Sequence, residues 1–271
     1  MLIRILSAVV LLPALLAIVL LCPVWATALL FGAASMIAAY ELLWRSGLVK
    51  HLRLTLYAMV MAAAVSAWSY FGCPELWGKL GIFLYVVLLF GELLLSHAKL
   101  PFASVAIALF SGVVFPWSMG ALARILAGEQ GRYMILMAFV LAFSADSGAY
   151  FVGKACGKHK LCPIISPNKT VEGAIGGVLS TILIVEIFGL VLQNAFGFEV
   201  NYLYGVIYGI LGALASMLGD LSYSVIKRQI GIKDYGNLIP GHGGILDRFD
   251  SMSIVAPMTE LLLVLIPFGV K

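Results

Sequence analysis

The sequence contains few charged residues. Lysine, arginine, aspartate and glutamate make up 11% of the 271 residues, against about 25% in a typical soluble domain. Hydrophobic residues account for 62%, so a soluble globular protein with a charged surface is excluded. The composition indicates a protein whose surface faces lipid.

Cysteine is also scarce, with four residues, and this excludes a disulfide-rich secreted scaffold. Cys22 and Cys73 each precede a proline on the same predicted side of the membrane, so one disulfide between them is an option. Cys156, His159 and Cys162 resemble zinc ligands, but a structural zinc site takes four ligands. Reduced thiols in a cytosolic connection are the simpler interpretation.

Long apolar runs occupy most of the chain. A bilayer core of about 30 Å requires roughly 20 apolar residues per helix, and the runs predict an all-α, polytopic membrane protein with about nine transmembrane helices. Cys22-Pro23 separates the first two runs, because proline disfavours a continuous helix. A cleaved signal peptide ending near Ala26 is the alternative. The predicted spans are 4–21, 24–44, 55–71, 80–96, 101–123, 133–153, 171–193, 202–222 and 251–268.

Basic residues cluster on one side of these spans. Thirteen of the 17 lysines and arginines lie on the side of the N-terminus, and basic connections are retained in the cytoplasm. This predicts a cytoplasmic N-terminus and cytoplasmic loops at 154–170 and 223–250. With no repeat, soluble domain or low-complexity linker, the chain is predicted to form one membrane domain, with scaffold and lipid-facing helices in 1–130 and catalytic helices in 131–271.

Charge is concentrated in two windows. Residues 146–172 hold six charged residues and residues 220–250 hold eight, of a total of 30. Anionic lipid headgroups account for lysines there, but they do not account for aspartates at the ends of spans. Asp220 closes the eighth span, and Asp247 and Asp250 stand three residues apart at the start of the ninth. Helix capping, at about 0.3–1 kcal/mol, explains one such carboxylate and not three.

The three aspartates and the stretch between them suit a metal-bound polyphosphate. Mg²⁺ is commonly held by one or two carboxylates, with substrate phosphates completing its octahedron. The stretch contains five glycines, at 231, 236, 241, 243 and 244, and their backbone amides can form an anion-binding nest. Nearby lysines and arginines supply the cations that a polyphosphate needs. The pattern therefore indicates metal-assisted chemistry on a nucleoside triphosphate.

The window 146–172 supplies a second group of polar residues. Ser166-Pro167-Asn168-Lys169-Thr170 predicts a sharp entry into the seventh span. Asp146 lies about two turns inside the sixth span, where an ionisable group is costly and usually functional. A structural hydrogen bond between helices is the alternative interpretation of Asp146.

Three segments match a known family. Residues 224–250 carry the pattern S-x-I-K-R, four residues, K-D-x-G, and then P-G-H-G-G-I-x-D-R-F-D. This pattern resembles the full signature of the phosphatidate cytidylyltransferases. Residues 166–177, SPNKTVEGAIGG, and residues 146–158, DSGAYFVGKACGK, resemble the two other characteristic segments of that family. The resemblance extends over roughly the C-terminal half of the chain.

The resemblance implies a membrane enzyme that uses CTP, phosphatidate and Mg²⁺, with K⁺ as a potential second cation, and that forms CDP-diacylglycerol and pyrophosphate. It implies that Asp220 and Asp247 bind metal, with Asp250 either a third ligand or their partner, and that Lys227 joins these three in the catalytic set. The implied nucleotide-binding residues are Ser224, Lys227, Arg228, Lys233, Asp234, His242, Gly243, Gly244 and Arg248. The implied lipid phosphate-binding residues are Ser166, Asn168, Lys169 and Asp146. Tyr223 departs from the family, which often has glutamate there.

The expected partners are CTP, phosphatidate and the lipid bilayer, with no nucleic acid, and the resemblance suggests a homodimer. The expected location is the inner, cytoplasmic membrane, with several spans and a site that faces the cytoplasm. Two alternatives remain. A CTP-dependent polyprenol-type kinase would transfer the γ-phosphate instead, and an ion-coupled transporter would use Asp146 and Asp220 inside the bilayer.

Overall fold

The computed structural model describes residues 13–72, 74–97, 99–239, 241 and 243–270. The chain is an all-α, polytopic membrane protein, as predicted. Within the described residues, seven helical segments are long and apolar enough to cross a membrane. They are Val24–Arg45, Leu52–Phe71, Glu75–Leu95, Phe102–Ala127, Gly131–Cys156, Val171–Phe196 and Tyr202–Gln229.

These seven segments correspond to the second to eighth predicted spans. Half of the first predicted span, 4–21, lies outside the described residues, and helix α1 at residues 13–21 represents the other half. The ninth becomes helix α11, Met252–Leu265, with 14 residues. At 1.5 Å per residue it is roughly 21 Å long, shorter than a bilayer core of about 30 Å. The expected count of nine is not confirmed, and the cytoplasmic N-terminus stays a prediction.

The chain forms two compact units. The first comprises residues 1–127 and 230–249, and the second comprises residues 128–229 and 250–271. The predicted division near residue 130 falls close to the boundary between the units at 127. Residues 230–249, however, belong with the N-terminal helices, which the sequence pattern did not indicate. The expectation of a single membrane domain stays a prediction.

The first unit consists of helices, and proline and glycine mark several of their boundaries. Pro23 separates α1 from α2, as expected, and Gly72 ends α3 in a left-handed conformation with φ of 59°. The core includes Leu43, Leu54 and Leu89. The elements are α2 (Val24–Tyr40) with a π-helical continuation (Glu41–Arg45), α3 (Leu52–Phe71), α4 (Glu75–Leu95), α5 (Phe102–Leu109) with a π-helical continuation (Phe110–Val114), α6 (Phe115–Ala127) and α10 (Leu246–Phe249).

The second unit combines long helices with two short antiparallel strand pairs. Strand β1 pairs with β2, with Lys160 opposite Thr170, and β3 pairs with β4. Helix α9 continues to Gln229, so residues 223–229, predicted as loop, are helical. The elements are α7 (Gly131–Cys156), β1 (Lys160–Cys162), β2 (Ser166–Thr170), α8 (Val171–Phe196), β3 (Glu199–Val200), α9 (Tyr202–Gln229), α11 (Met252–Leu265) and β4 (Gly269–Val270).

Candidate functional site

Three aspartates of the second unit lie in one region. Asp146 is on α7, and its Oδ1 accepts a hydrogen bond from the Ser216 hydroxyl of α9 at 3.3 Å. Asp220 lies one turn further along α9. A Cβ atom at Gly219 would stand 2.7 Å from the carbonyl oxygen of Asp250, so a glycine is needed for α9 to approach that residue closely. The helix packing therefore gathers Asp146, Asp220 and Asp250.

Asp250 precedes α11 and experiences the negative charge of the other two aspartates. Burial raises its pKa from 3.8 to about 7, and the charge of Asp220 adds to the increase. The Ser251 amide, which donates to Asp250 Oδ1 at 2.8 Å, and the charge of Lys227 oppose it. The carboxylates of Asp146, Asp220 and Asp250 thus lie near enough to influence one another, and a cation among them would relieve their mutual repulsion.

Lys169 forms an ion pair with Asp220 Oδ2, and both side chains are about one quarter exposed. The strand β2 delivers Lys169 to this position, just before α8 begins. Thr170 caps that helix, because its hydroxyl accepts the Gly173 amide at 3.1 Å. On the other side of the hairpin, Arg228 Nε donates to the carbonyl oxygen of Ile165 at 3.1 Å. Both contacts hold the hairpin that carries Lys169.

Helix α9 carries further predicted site residues on the same face as Asp220. Ser224, one turn later, donates its hydroxyl to Asp220 Oδ1 at 3.3 Å. Lys227 is buried, with 9% of its surface exposed, and it lies close enough to Asp250 to influence the charge there. Tyr223, where the family often has glutamate, is buried and hydrogen-bonded to the side chain of Ser253. Its position is part of the packing against α11.

A cavity of about 430 Å³ opens beside these residues in the second unit. Its polar wall contains predicted lipid phosphate-binding residues together with Asp220, while small and apolar side chains form the rest. Ser166, predicted for the same role, does not line it. The lining consists of Ala145, Asp146, Ala149, Tyr150, Gly153, Lys154, Leu161, Asn168, Lys169, Thr170, Gly173, Ala174, Gly177, Ala213, Met217 and Asp220.

The close packing of α7 against α8 shapes one wall of this cavity. A Cβ atom at Gly177 would lie 2.9 Å from the carbonyl oxygen of Ala145. Only glycine permits this approach of the two helix backbones, as is common between membrane helices. The Gly-Ala-Ile-Gly-Gly run of the sequence therefore brings the residues of α7 next to the start of α8.

Asp247 belongs to the first unit, where it organises a loop. We define the glycine-rich loop as residues 230–245, between α9 and α10. Asp247 is buried, and its Oδ2 accepts the amides of Tyr235 at 2.8 Å and Gly244 at 3.0 Å. Gly243 adopts a φ of 85°, which favours glycine, where the loop turns back towards Ile239. Asp247 thus has a structural role in addition to the predicted metal binding.

Glu41 is a residue of this region that the sequence motifs did not indicate. It lies in the π-helical continuation of α2 with 3% of its surface exposed. Its Oε1 accepts the Ile245 amide at 3.1 Å, and its Oε2 accepts the Leu246 amide at 2.9 Å. A signal was present in the sequence, since Glu41 is an ionisable residue inside a predicted span.

The loop amides correct one sequence expectation. The glycines suggested an anion-binding nest for phosphate, with Gly244 among its members. In this conformation the amides of Tyr235, Gly244, Ile245 and Leu246 all donate to carboxylates of the protein itself. These four amides therefore do not form such a nest, and the first role of the glycines is to let the chain close around Glu41 and Asp247.

The predicted site residues fall into two groups. Asp146, Ser166, Asn168, Lys169, Asp220, Ser224, Lys227, Arg228 and Asp250 belong to the second unit, and Lys233, Asp234, Gly243, Gly244, Asp247 and Arg248 belong to the first. Lys233, Asp234 and Arg248 are exposed. His242 lies outside the described residues, as does Cys73 of the suggested disulfide. The catalytic and binding roles of all these residues stay predictions.

Across the ranges that the structure describes, no three histidine, cysteine, aspartate or glutamate side chains come close enough to hold a metal ion. A metal bound here would thus complete its coordination with substrate phosphates or water, as Mg²⁺ commonly does. Of the three residues that resemble zinc ligands, Cys156, His159 and Cys162, the histidine is engaged by a carboxylate: His159 Nδ1 lies 2.6 Å from Glu172 Oε1.

Comparison with known proteins identifies the family of this chain. A family model described as the cytidylyltransferase family matches residues 2–266. The chain belongs to the cytidylyltransferase family. The match extends over nearly the whole sequence, so it includes the apolar N-terminal half in addition to the signature segments.

Several curated relatives of this chain are named phosphatidate cytidylyltransferase. The protein of Bacillus subtilis is 47% identical over 137 residues, 51% of this chain and 49% of the relative. Those of Staphylococcus epidermidis and Staphylococcus aureus are 45% and 48% identical over 136 residues, in each case 50% of this chain and 51% of the relative. The chain thus spans about half the length of the curated relatives it matches.

Proposed function

We propose that this cytidylyltransferase transfers CMP from CTP to phosphatidate and releases pyrophosphate. The observation that carries the proposal is the set of Lys169, Asp146 and Asp220 at the wall of a largely apolar cavity of about 430 Å³. Cations and carboxylates beside an apolar volume suit an amphipathic substrate with a phosphate headgroup. The shared name of the relatives points to the same reaction.

The cavity supports a lipid phosphate site built on β2. Lys169 would contact the headgroup phosphate, and Asn168 would donate a hydrogen bond to it. Asp146 carries a negative charge, so it would reach the phosphate only through a cation. Ser166 does not line the cavity, and its contribution would be to the shape of the hairpin.

The carboxylates fit Mg²⁺, with K⁺ as a potential second cation. Asp220 and Asp250 offer only oxygen ligands, which hard cations prefer, and the charges of Asp220 and Asp146 add to the negative field around Asp250. We propose that these two residues bind Mg²⁺, and metal binding by Asp247 stays a prediction from the family resemblance. When bound, the ion would neutralise charge on the triphosphate and on the departing pyrophosphate.

The proposed reaction is a displacement at the α-phosphorus of CTP. A phosphate oxygen of phosphatidate forms a bond to this phosphorus, while the bond to the oxygen that leads to the β-phosphorus breaks and pyrophosphate leaves. The attacking phosphate is ionised near pH 7, so no strong general base is needed. The protein would contribute positioning and charge neutralisation, through Lys169 for the lipid and Lys227 for the nucleotide.

The remaining predicted residues would bind the nucleotide or order the segments around the two substrates. Ser224 and Arg228 are committed in this conformation to Asp220 and to Ile165, respectively. Lys233, Asp234 and Arg248 are exposed and available for a polyphosphate or its cation. His242 would donate to a phosphate or order the loop rather than act as a base.

We also propose that the site faces the cytoplasm from the inner membrane. The predicted cytoplasmic connections carry most of the lysines and arginines, and CTP is a cytosolic nucleotide. A diacyl substrate stays in the leaflet, so it would enter sideways between helices. A homodimer stays a prediction from the family resemblance.

Two labelled forms of CTP test the reaction directly. Purified protein is incubated with Mg²⁺ and phosphatidate micelles, and lipid products are separated. With the label on the α-phosphate, we expect labelled CDP-diacylglycerol; with the label on the γ-phosphate, we expect label only in pyrophosphate. Lipid that gains the γ-label would instead indicate a kinase, and ion flux in proteoliposomes without turnover of either label would indicate a transporter.

A further inference from the structure

Glu41 is a buried carboxylate that lies far in sequence from every segment that resembles the family signature. Only 3% of its surface is exposed. A carboxylate is costly to bury unless hydrogen bonds compensate for the lost water. It also lies in a π-helical segment, Glu41–Arg45, a local irregularity that is frequent at functional sites. These properties distinguish it from the apolar residues around it.

The compensating hydrogen bonds of Glu41 come from the glycine-rich loop and the residue that follows it. Each carboxylate oxygen accepts one amide, Oε1 from Ile245 at 3.1 Å and Oε2 from Leu246 at 2.9 Å. The partners are 204 and 205 residues away along the chain. Glu41 therefore connects the end of α2 with the point where α10 begins.

Two glycines make this contact sterically feasible. A Cβ atom at Gly236 would lie 2.4 Å from Glu41 Oε1, and one at Gly244 would lie 2.4 Å from Oε2. No side chain fits at either position while Glu41 keeps its place. Asp247 accepts the amides of Tyr235 and Gly244 in the same loop. The loop backbone is thus held by two buried carboxylates.

We propose that Glu41 is a positioning residue that holds the glycine-rich loop in the conformation used to bind the nucleotide. The inference rests on the proposed function, because the loop and α10 carry the predicted nucleotide-binding residues Lys233, Gly243 and Arg248. Without the carboxylate, two loop amides lose their acceptors and the loop populates other conformations. The apparent affinity for CTP then falls in proportion to the fraction of molecules that keep the binding conformation.

The first experiment replaces one carboxylate oxygen by an amide group. Glu41→Gln keeps the length of the side chain, but its new NH₂ group is a donor and faces either the Ile245 or the Leu246 amide, which is also a donor. We expect the dissociation constant for CTP and the KM for CTP to rise about tenfold, the effect of losing one strong hydrogen bond. The KM for phosphatidate should stay within about twofold. Hydrogen exchange at Ile245 and Leu246 should become faster.

Glu92→Gln is the matched control. Glu92 is a carboxylate of the same unit with 6% of its surface exposed, and its Oε1 accepts hydrogen bonds from Arg53 at 3.3 Å and Tyr57 at 3.2 Å. Both partners lie on α3, so replacing Glu92 should lower the melting temperature without a selective effect on CTP. An equal rise in the KM for CTP in Glu92→Gln would overturn the proposal, because general destabilisation would then explain both variants.

A double variant tests the contact even if Glu41→Gln proves unstable. Gly236→Ala alone should disturb the loop, since its new methyl group meets the Glu41 carboxylate. In a Glu41→Ala background the carboxylate is gone and the nearest remaining atom is the Gly244 Cα, 3.1 Å from the new Cβ, so adding Gly236→Ala should weaken CTP binding by clearly less than it does in the wild type. If the losses of CTP affinity in the two single variants multiplied in the double variant, the two positions would act independently, which would contradict the contact.

The readouts separate this proposal from the proposed function. If wild-type protein binds CTP but forms no CDP-diacylglycerol, the proposed reaction fails, while a selective loss of CTP binding in Glu41→Gln still supports the positioning role. If Glu41→Gln binds CTP as tightly as the wild type and its loop amides exchange at the same rate, Glu41 does not position the loop.

Discussion

Asp220 is the residue whose replacement tests the proposed chemistry most directly. Its two carboxylate oxygens have different partners, Lys169 at Oδ2 and the Ser224 hydroxyl at Oδ1. Asp220→Asn keeps the size of the side chain and removes its negative charge. Lys169 then loses its ion-pair partner, and the proposed Mg²⁺ would lose a charged oxygen ligand.

The expected effects on turnover and on stability differ in size. Loss of a key electrostatic stabiliser costs about 10²–10³-fold in rate, or roughly 2.7–4 kcal/mol of barrier. The Lys169–Asp220 pair is 26% and 27% exposed, and a pair this accessible to solvent contributes roughly 0–1 kcal/mol to folding. We therefore expect kcat to fall by at least about two orders of magnitude, while the melting temperature changes by less than about 4 °C.

The assay measures CDP-diacylglycerol formation over a Mg²⁺ titration in mixed micelles. The matched control is Glu75→Gln, which removes a carboxylate from the exposed Glu75–Lys79 pair, joined at 2.6 Å; its turnover should equal that of the wild type. The metal-ligand assignment is refuted if Asp220→Asn at saturating Mg²⁺ stays within about fivefold of wild-type turnover, a barrier change of roughly 1 kcal/mol.

Three further replacements make separate predictions. Asp247→Asn should lower turnover by at least about two orders of magnitude, and hydrogen exchange should show a loosened loop; near-normal turnover would remove it from the catalytic set. Arg228→Met loses the contact with Ile165 and should raise the KM for phosphatidate by roughly three- to tenfold, with little change for CTP, because the hairpin that carries Lys169 becomes mobile. Lys158→Ala should leave turnover within about twofold of the wild-type value. If Lys158→Ala lost more turnover than Asp220→Asn, the roles assigned to the two loop regions would have to be exchanged.

Local sequence patterns predicted much of the architecture. Apolar runs located seven helical segments, because hydrocarbon requires that each backbone amide be satisfied within its own helix. Pro23 marked the break between the first two helices, because proline lacks an amide donor and disfavours a helical conformation in the residue before it. The residues of 166–170 also predicted the start of α8, where Thr170 forms the expected cap.

The sequence pattern was less informative about the lengths of the last two long helices. Helix α9 continues through Ser224 and Lys227 to Gln229, because the polar face of these residues packs inside the protein instead of entering water. The last helix, in contrast, is shorter than the apolar run of 251–268 suggested. Hydropathy records composition, whereas helix length also depends on the packing of neighbouring helices.

The glycine-rich loop shows most clearly what a pattern of residue types leaves undecided. Its glycines and charges indicated phosphate chemistry, yet several of its amides donate to Glu41 and Asp247. A backbone amide is a donor that suits an oxygen of a phosphate and an oxygen of a protein carboxylate alike. The choice depends on which acceptor the fold brings within about 3 Å, and Glu41 comes from a helix 204 residues away.

By itself, the sequence determined that this is a helical membrane protein and predicted which segments carry its chemistry, because hydropathy and motif spacing are local properties. Only the tertiary structure decided that Lys169 pairs with Asp220, that a cavity lies beside them, and that Glu41 holds the glycine-rich loop. The physical reason is the short range of hydrogen bonds and ion pairs. These interactions exist only after packing has placed distant parts of the chain within a few ångströms.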